Sequence, residues 1–465
     1  MSLSLGPDLP EVSRVAVFGL AKSGLATVRA LLERGVSVVA TDSSPAEKVG
    51  ALPEDELLET VLGGHPVSLL SNVDLCVVSP GVPMTIPALD AARAAGIPVV
   101  AEVELASRLL PGLVVGITGT NGKSTTTALA AALLRDAGRD AVACGNFGTP
   151  WIQFAARGAS PSGELPPPSR VWVVELSSFQ LEGARRLAPD VAVHLNLTPD
   201  HLDRYRSVDD YGAAKARIFE NQGEAQVAVL NADDPLLARI RTRARRLEFS
   251  RSRALARGAW LKDGVFLADA TGKGPRVYAR REDLQLPGSH NAENALAALA
   301  ATIPFGVTPE SAVRTFRTFK GLPHRTVLVR TRNGVAFYND SKGTNIDATL
   351  KSLEGFPDGS VFLILGGKDK GDDFRRLLPL VEQKARKVLA IGAAGGAVMR
   401  ALSDGAPCEE AGTIARAIEV AAVEGRPGDV VLLSPACASY DQFRNYEHRG
   451  EAFEALVNAL PEAGG

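Results

Sequence analysis

Short runs of β-branched and other apolar residues alternate along the chain with longer stretches rich in alanine and leucine. The first unit reads as a buried strand at residues 14–18, a glycine turn at 19–24, a helix at 25–34 and a second strand at 36–40. Short continuous apolar runs separated by helical stretches are typical of parallel sheets with crossover helices. The pattern therefore predicts an α/β fold throughout.

The same pattern divides the chain into three parts. Further strands are predicted at residues 74–78, 97–100, 113–117, 171–176, 191–195, 227–230, 335–338, 361–365, 387–391 and 430–433, with a hairpin at 259–268 and long helices at 102–110, 124–137 and 291–301. Helix stop signals stand at Pro111-Gly112 and at Thr302-Ile303-Pro304. We expect a Rossmann-like domain at 1–110, a central P-loop domain with a mostly parallel sheet at 111–303, and a Rossmann-like, dehydrogenase-like domain at 304–465.

Charge and cysteine content narrow the function. The 51 basic and 53 acidic residues leave a net charge of −2, and with no dense basic run the expected partners are small molecules rather than nucleic acid. Four widely separated cysteines suit a reducing cytoplasm better than a disulfide framework or a metal site. Lys22 and Arg29 interrupt the apolar stretch that begins at Val15. We therefore expect no signal peptide and no membrane insertion.

A glycine-rich loop lies between the strand at 113–117 and the following helix. Phosphate binding requires backbone N–H groups at a helix N-terminus, a lysine for the β and γ oxygens, and a hydroxyl for Mg²⁺. The candidate ATP-binding residues of the loop are Gly119, Thr120, Asn121, Gly122, Lys123, Ser124 and Thr125. The strict P-loop pattern would require glycine at Ile117, so the loop is a variant, and an accidental glycine turn is the alternative.

Three residues beyond the loop are candidates for metal chemistry. Glu175 ends a buried strand, where doubly wound sheets carry ligand-binding acids, although a solvated cap is about as common. The segment 196–205 concentrates Asn, Asp and His, which favours a ligand role for His201. Lys215 lies in a helical, largely apolar stretch, and a snorkelling surface lysine is the alternative there.

The first domain contains an incomplete dinucleotide fingerprint. Gly19 and Gly24 are present, Ala21 replaces the middle glycine, and Asp42 follows about 20 residues on, where a ribose-binding acid belongs. Ser79-Pro80-Gly81 ends another strand at the same expected crevice. A purely structural unit with Asp42 as a turn residue is the alternative.

The order of these motifs resembles that of the peptidoglycan Mur ligases over nearly the whole chain. The markers are the turn at 19–24 with Asp42, Ser79-Pro-Gly-Val82, the loop at 119–124, Gly145-Asn146, and the stretches 175–180, 200–205, 211–219, 290–294, 321–325, 339–345, 366–370 and 434–443. The stretch 434–443 resembles the D-glutamate-adding branch. No Asp-Asn-Pro-Arg run, expected of the diamino-acid branch, is present.

The resemblance implies an ATP-dependent amide ligase of peptidoglycan precursor synthesis, cytoplasmic and monomeric. It would add D-glutamate to the L-alanine carboxylate of UDP-N-acetylmuramoyl-L-alanine through an acyl phosphate. Lys123 would hold the β and γ phosphates, Ser124 and Glu175 a first Mg²⁺, and His201 a second. Lys215 would be carbamylated.

The remaining roles also rest on the resemblance. Further ATP contacts are expected from Asn291, Asn294, Arg325 and Asp340. The uridine nucleotide is expected at Gly19, Ser23, Asp42, Ser79 and Gly81, the muramoyl group at Asn146, and D-glutamate with the acyl group at Lys342, Thr344, Lys370, Ser439 and Tyr446. Lys342 joins Lys123, His201 and Lys215 as a catalytic candidate.

The sequence departs from the family pattern in two places. Lys368 stands where some relatives carry aspartate, and Tyr446 where phenylalanine is expected, so a buried hydroxyl would need a polar partner. Other readings stay open: a nicotinamide-dependent oxidoreductase, a non-enzymatic ATP-gated binding protein, a folylpolyglutamate synthase, and the sister ligases for other amino acids.

Overall fold

The computed structural model describes residues 2–9, 11–156, 166–201, 204–286, 288–369 and 371–461. These residues fall into two compact units. The first comprises Met1–Asp283 with Glu293–Arg317, and the second Leu284–Ala292 with Thr318–Gly465. Both units contain mostly parallel sheets flanked by helices, which confirms the predicted α/β class.

The first unit begins with a five-stranded sheet. Its elements are β1 (Arg14–Phe18), α1 (Lys22–Leu32), β2 (Ser37–Asp42), β3 (Leu58–Leu62), β4 (Leu75–Val78), α2 (Pro87–Ala94), β5 (Val99–Ala101) and α3 (Glu102–Leu109). The strand order is β3-β2-β1-β4-β5, and every pairing is parallel. The order reverses at β1, so the turns after β1 and β4 flank one crevice at the carboxyl ends of the strands.

The same unit continues with a nine-stranded sheet. Its elements are β6 (Leu113–Thr118), α4 (Lys123–Asp136), β7 (Ala141–Gly145), β8 (Val171–Glu175), α5 (Ser178–Glu182), β9 (Val191–His194), α6 (Val208–Ala216), β10 (Val227–Asn231), β11 (Arg245–Ser250), β12 (Gly258–Lys262), β13 (Val265–Asp269), β14 (Arg276–Arg280), α7 (Ser289–Thr302) and α8 (Pro309–Thr318). The order is β14-β13-β12-β11-β10-β9-β6-β8-β7. Since β6 lies between β8 and β9, the loops after these three strands meet at one edge.

The second unit contains a six-stranded sheet. Its elements are β15 (Val327–Arg332), β16 (Val335–Asn339), α9 (Ile346–Leu353), β17 (Val361–Gly366), α10 (Leu378–Lys384), β18 (Ala385–Ile391), α11 (Gly395–Leu402), β19 (Cys408–Gly412), α12 (Ile414–Glu424), β20 (Val430–Leu433) and α13 (Tyr446–Asn458). The order is β15-β16-β20-β17-β18-β19, with only the β15–β16 pair antiparallel. Apolar clusters cover both faces of this sheet.

A buried carboxylate links the first two sheets within the first unit. Glu104 in α3 is fully buried and accepts hydrogen bonds from the backbone N–H groups of Arg185, Arg186 and Leu187 at 2.9–3.1 Å. Arg108, one helical turn later, pairs with it at 2.6 Å. A shared apolar core joins the same two sheets.

The hydrophobic pattern missed several strands and one charged segment. β3 and β11 were not predicted, because no residue of β3 is buried and β11 begins with two arginines. The segment 239–257 contains eight arginines and one acid: Arg239, Arg241, Arg243, Arg245, Arg246, Arg251, Arg253, Arg257 and Glu248. The expectation that no dense basic run exists is therefore wrong for this segment.

No helix in the described part of the chain has the length and apolar character needed to cross a membrane.

Candidate active site

The glycine-rich loop connects β6 to α4, as predicted. Gly119 has φ +152° and Gly122, the residue before α4, has φ +83°. A Cβ at Gly122 would approach Asn294 Oδ1 to 2.3 Å, and one at Gly119 would lie 2.9 Å from the Leu195 Cβ. Glycine is therefore required at both positions by backbone conformation and by space. Ser124 and Thr125 follow in the first turn of α4 and are buried.

The loop after β9 holds the phosphate loop by a set of hydrogen bonds. Asn196 accepts the Thr120 N–H at its backbone oxygen, 3.0 Å away, and the Asn121 N–H at its side-chain oxygen, 2.8 Å away. Its side-chain amide donates back to the Asn121 oxygen at 3.1 Å. The Thr198 N–H donates to the Thr120 hydroxyl. The loop conformation is thus held by a neighbouring strand end, a role that the sequence did not assign to Asn196.

Two lysines converge on one carbonyl at this edge of the sheet. Lys123 donates from Nζ to the Gly119 oxygen at 2.8 Å and to the Thr120 oxygen at 2.7 Å. Lys215 Nζ donates to the same Gly119 oxygen at 2.8 Å and lies 4.4 Å from the centroid of the Tyr211 ring. Only 1% of Lys215 is exposed. The snorkelling alternative for Lys215 is therefore wrong.

Burial gives Lys215 an unusual protonation preference. Burial first, and then the neighbouring Lys123 charge, lower the pKa of Lys215 well below its ordinary value, while Asp200 and Glu175 act weakly in the opposite direction. A buried ammonium favours its neutral form because it has lost its hydration. The neutral amine is the nucleophilic form of a lysine.

A buried carboxylate lies at the end of the adjacent strand β8. Glu175 is 3% exposed, and its Oε1 accepts a hydrogen bond from the Asn146 side-chain amide at 2.9 Å. Its Oε2 is buried and has no hydrogen-bond partner among the described residues. A buried carboxylate oxygen without a hydrogen-bond partner is costly, and it suits the role of a cation ligand.

His194 is another buried polar group at this edge of the sheet, and it was not predicted from the sequence. It ends β9 opposite Thr118, is fully buried, and neither ring nitrogen has a hydrogen-bond partner within the described residues. Burial and the charges of Lys215 and Lys123 lower the pKa of His194 well below its ordinary value. The ring is therefore neutral. Its position in an apolar strand offered no sequence signal that distinguished it from a core residue.

His201 lies in the loop between β9 and α6 and is far less buried. Its side chain is 44% exposed, its φ is +54°, and its ring meets Phe179 and Tyr211 edge-on, with centroids 5.0 and 5.9 Å apart. Within the described ranges, no three His, Cys, Asp or Glu side chains form a preassembled metal cluster. Mg²⁺ does not require one, because it keeps several waters and takes one or two carboxylates with substrate phosphates.

The predicted adenine-side residues lie on α7, whose residues up to Ala292 belong to the second unit and the rest to the first. Asn294 belongs to the first unit, and its Oδ1 accepts a hydrogen bond from Thr126 Oγ1 at 3.3 Å, next to Gly122. Asn291 is buried and belongs to the second unit.

The turn after β1 is built around the predicted glycines and Asp42. A Cβ at Gly24 would lie 1.7 Å from the Gly19 oxygen, so no larger residue fits. Asp42 accepts the Leu20 and Ser44 N–H groups, each at 2.7 Å, and Ser79 Oγ donates to the Gly19 oxygen at 2.8 Å. Burial opposes ionisation of Asp42, but the two backbone hydrogen bonds prevail and lower its pKa. Asp42 thus stabilises the turn itself. Ser23 lies in the first turn of α1, and Gly81 is exposed.

The second unit gathers its candidates at the carboxyl ends of β16 and β20. Asp340 is 5% exposed, and its carboxylate accepts hydrogen bonds from Ser352 and Ser434 at 2.7 Å each and from the Thr326 N–H at 3.1 Å. Burial raises the pKa of Asp340 despite these bonds. Arg325 lies between His324 (φ +62°) and Thr326 (φ +51°), and such left-handed non-glycine residues concentrate at functional sites.

Lys342 and Tyr446 are neighbours in this unit. Lys342 Nζ donates to the Tyr446 hydroxyl at 2.9 Å. Lys342 is thus the polar partner that the Tyr446 hydroxyl, absent from the expected phenylalanine, would need. The Thr344 N–H donates to the Lys342 oxygen, and Ser439 is buried in the loop after β20. Lys370 lies outside the described residues.

Comparison with protein families places known domains along the chain. The model of the Mur ligase MurD-like N-terminal domain matches residues 13–101, that of the Mur ligase middle domain residues 117–302, and that of the Mur ligase glutamate ligase domain residues 324–437.

Individual proteins match over nearly the full length. A protein of Pelotomaculum thermopropionicum named UDP-N-acetylmuramoylalanine–D-glutamate ligase is 43% identical over 466 residues, with 96% of this chain and 98% of the relative covered. One of the same name from a Geobacter species is 45% identical over 452 residues, covering 96% and 97%.

Among solved structures, a pseudomurein peptide ligase type C from Methanothermus fervidus matches with a TM-score of 0.60 at 17% identity, covering 97% of this chain and all of that one. The MurF ligase of Thermotoga maritima in complex with ADP matches with a TM-score of 0.59 at 19% identity, covering 98% and 97%. At these identities the structures support the fold alone.

Proposed function

The chain belongs to the Mur ligase family, and we propose that it joins D-glutamate to UDP-N-acetylmuramoyl-L-alanine at the expense of ATP in peptidoglycan precursor synthesis. Relatives that are more than 40% identical over nearly the whole chain bear the corresponding name. The observation that carries the proposal is the convergence of Lys123 and Lys215 on the Gly119 carbonyl, beside the unsatisfied oxygen of Glu175.

Amide formation from a carboxylate and an amine in water is uphill, so the carboxylate must first be activated. In the proposed first step, an oxygen of the L-alanine carboxylate attacks the γ-phosphorus of ATP. The bond between the γ-phosphorus and the β–γ bridging oxygen breaks, so that ADP departs and an acyl phosphate is formed. The neutral D-glutamate amine then attacks the carbonyl carbon, phosphate departs with the C–O bond electrons, and the nitrogen releases a proton to leave the amide. Two anions must approach each other in the first step, and Lys123 offsets their repulsion.

Glu175 and Ser124 fit the requirements of a magnesium site. Glu175 Oε2 is buried and has no hydrogen-bond partner in the described part of the chain, and oxygen donors are the ligands that Mg²⁺ prefers. A bound Mg²⁺ would stabilise charge on the transferring phosphoryl group. The Asn146 amide fixes the orientation of this carboxylate through Oε1. His201, exposed and in the adjacent loop, is proposed to serve a second Mg²⁺.

We further propose that Lys215 carries a carbamate. Its lowered pKa keeps the amine neutral, and this form can add CO₂: an N–C bond forms and one proton is released. The product is an anion beside Lys123, so the unfavourable lysine pair becomes an attractive one. Lys215→Ala should lose turnover that bicarbonate does not restore and that short carboxylic acids partly rescue. Unchanged activity of the alanine variant would remove Lys215 from the mechanism.

The remaining candidate residues are assigned to three sites. The turn of Gly19, Ser23 and Asp42, with Ser79 and Gly81, is proposed to hold the uridine nucleotide, and Asn146 the muramoyl group. Asn291, Asn294, Arg325 and Asp340 are proposed to complete the ATP site. D-Glutamate and the acyl group are assigned to Lys342, Thr344, Lys370, Ser439 and Tyr446.

The decisive experiment measures phosphate release from ATP by the purified full chain. The expected result is release that requires UDP-N-acetylmuramoyl-L-alanine and D-glutamate together, with amide product detected by mass spectrometry. A panel of L-glutamate, L-alanine, a diamino acid and D-alanyl-D-alanine, with muramoyl and folate acceptors, tests the specificity. Activity with L-glutamate and a folate alone would contradict the proposal. Stoichiometric ATP binding without turnover would point to a non-enzymatic ATP-gated binding protein. NADH binding without phosphate release would point to a nicotinamide-dependent oxidoreductase.

We also propose that the enzyme acts in the cytoplasm as a monomer. All four cysteines are free thiols, and three of them are buried, which accords with a reducing compartment. Size-exclusion chromatography with light scattering measures the mass in solution, and a stable dimer would contradict the monomer.

A further inference from the structure

Arg449 is one of the largest fully buried side chains of the second unit. It lies in the first turn of α13 with 1% of its surface exposed. Charged side chains are rarely buried to this extent unless they are paired. In the part of the chain that the structure describes, no carboxylate lies within ion-pair distance of Arg449. Burial lowers the pKa of Arg449 to about 10, so the guanidinium remains charged at neutral pH.

The guanidinium instead binds two loops. Nη2 donates to the Ser341 oxygen at 2.7 Å and Nε to the Ser341 hydroxyl at 2.9 Å, while Nη1 donates to the Cys437 oxygen at 3.1 Å. Ser341 lies between Asp340 and Lys342 in the loop after β16. Cys437 lies two residues before Ser439 in the loop after β20. One rigid planar group thus fixes the distance between the two loops that bear the proposed D-glutamate contacts.

Both loops have features that require such support. Ala436 has φ +55°, which is unfavourable for a residue with a Cβ. The Ser341 hydroxyl donates to the Tyr446 oxygen at 2.8 Å, and Lys342 Nζ reaches the Tyr446 hydroxyl. Ser341 therefore connects Arg449 to the start of α13 and, through the adjacent Lys342, to the Tyr446 side chain.

We propose that Arg449 is a positioning residue that fixes the Ser341 and Cys437 loops together and thereby sets the affinity for the incoming amino acid. Arg449 is too buried to touch the substrate. This inference rests on the proposed function, since it assigns these loops to D-glutamate.

The test compares Arg449→Lys with wild type in steady-state kinetics. Lysine keeps the charge and loses the planar fork, so the KM for D-glutamate should rise about tenfold or more, while the KM values for ATP and for UDP-N-acetylmuramoyl-L-alanine stay within about twofold. Arg444→Lys, at an exposed arginine five positions earlier, is the matched control and should change none of these constants. An unchanged KM for D-glutamate, or equal rises in all three constants, would overturn the inference.

A second variant keeps the inference testable if Arg449→Lys does not fold. Ser341→Ala removes one acceptor of Arg449 and the bond to Tyr446, and should raise the KM for D-glutamate severalfold. The effects of the two variants should be less than additive, because both break the same connection. Full additivity, or no effect of Ser341→Ala, would count against the inference. If wild type itself shows no D-glutamate-dependent phosphate release, the proposed function fails instead.

Discussion

Replacing Lys215 by methionine should stabilise the unliganded protein while abolishing its activity. Lys215 is 1% exposed, and its amino group donates one hydrogen bond within the described residues, to the Gly119 oxygen, and lies over the face of the Tyr211 ring. Methionine has a similar length and flexibility and places an apolar group in the same space. The Gly119 oxygen keeps a donor in the variant, because Lys123 also binds it at 2.8 Å.

The magnitude follows from the groups that change. The variant loses the hydrogen bond of a neutral amine, about 0.5–1.5 kcal/mol. Against this, Lys215 of the wild type is protonated in the unfolded chain and must lose that proton on folding, because burial and the Lys123 charge disfavour the ammonium. We expect a free energy of unfolding that is unchanged to about 3 kcal/mol higher, because the apolar methionine does not carry this cost.

The pH dependence of stability distinguishes the loss of this ionisation cost from an improvement in the packing around residue 215. The pKa of Lys215 is lower in the folded than in the unfolded chain, so between those two values the unfolded state binds the extra proton and stability rises with pH. The penalty is full below the folded pKa and disappears as pH approaches 10.5, the ordinary pKa of a lysine. The stability difference between Lys215→Met and wild type should therefore narrow as pH rises.

Urea unfolding from pH 6 to 9 measures this difference. The buffer is depleted of CO₂, because a carbamate would remove the titratable amine of Lys215. Lys262→Met, at an exposed strand end, is the control and should give a constant difference. A loss of more than about 2 kcal/mol in Lys215→Met, a value set by the hydrogen bond alone, would refute the reasoning. A stability difference between Lys215→Met and wild type that does not change with pH would refute the reasoning equally.

Three further substitutions test other parts of the site. Lys123→Ala should abolish phosphate release with the fold intact by circular dichroism, and near-normal turnover would remove the loop from the mechanism. Gly122→Ala should weaken ATP binding at least tenfold by calorimetry, because φ is +83° and the new Cβ would meet Asn294 at 2.3 Å; unchanged affinity would contradict the required close approach. Glu104→Ala should lower the free energy of unfolding by about 3–5 kcal/mol, because it leaves three buried backbone N–H groups without their acceptor and removes one of the two carboxylates that pair with Arg108; a loss below about 1 kcal/mol would mean that water replaces the carboxylate.

Much of the architecture was readable from hydrophobic patterning. Buried parallel strands such as β6, β8 and β20 have continuous apolar sequences, and their predicted ends agree with the structure within one or two residues. Strands with exposed or charged positions, such as β3 and β11, do not stand out in this way. The predicted domain boundaries at 110 and 303 stay predictions.

The sequence by itself determined that a strand, a glycine-rich loop and a helix follow one another at 113–136, because these are local features. It also supplied the motif order by which the family was recognised. Only the tertiary structure decided the environment of each side chain: that Lys215 is buried on the Gly119 carbonyl, that Glu175 has an unsatisfied oxygen, and that Arg449 joins two loops. The physical reason is that hydrophobic periodicity reports which face of an element is buried, whereas desolvation and hydrogen-bond partners depend on residues that are distant in sequence and meet only in the fold.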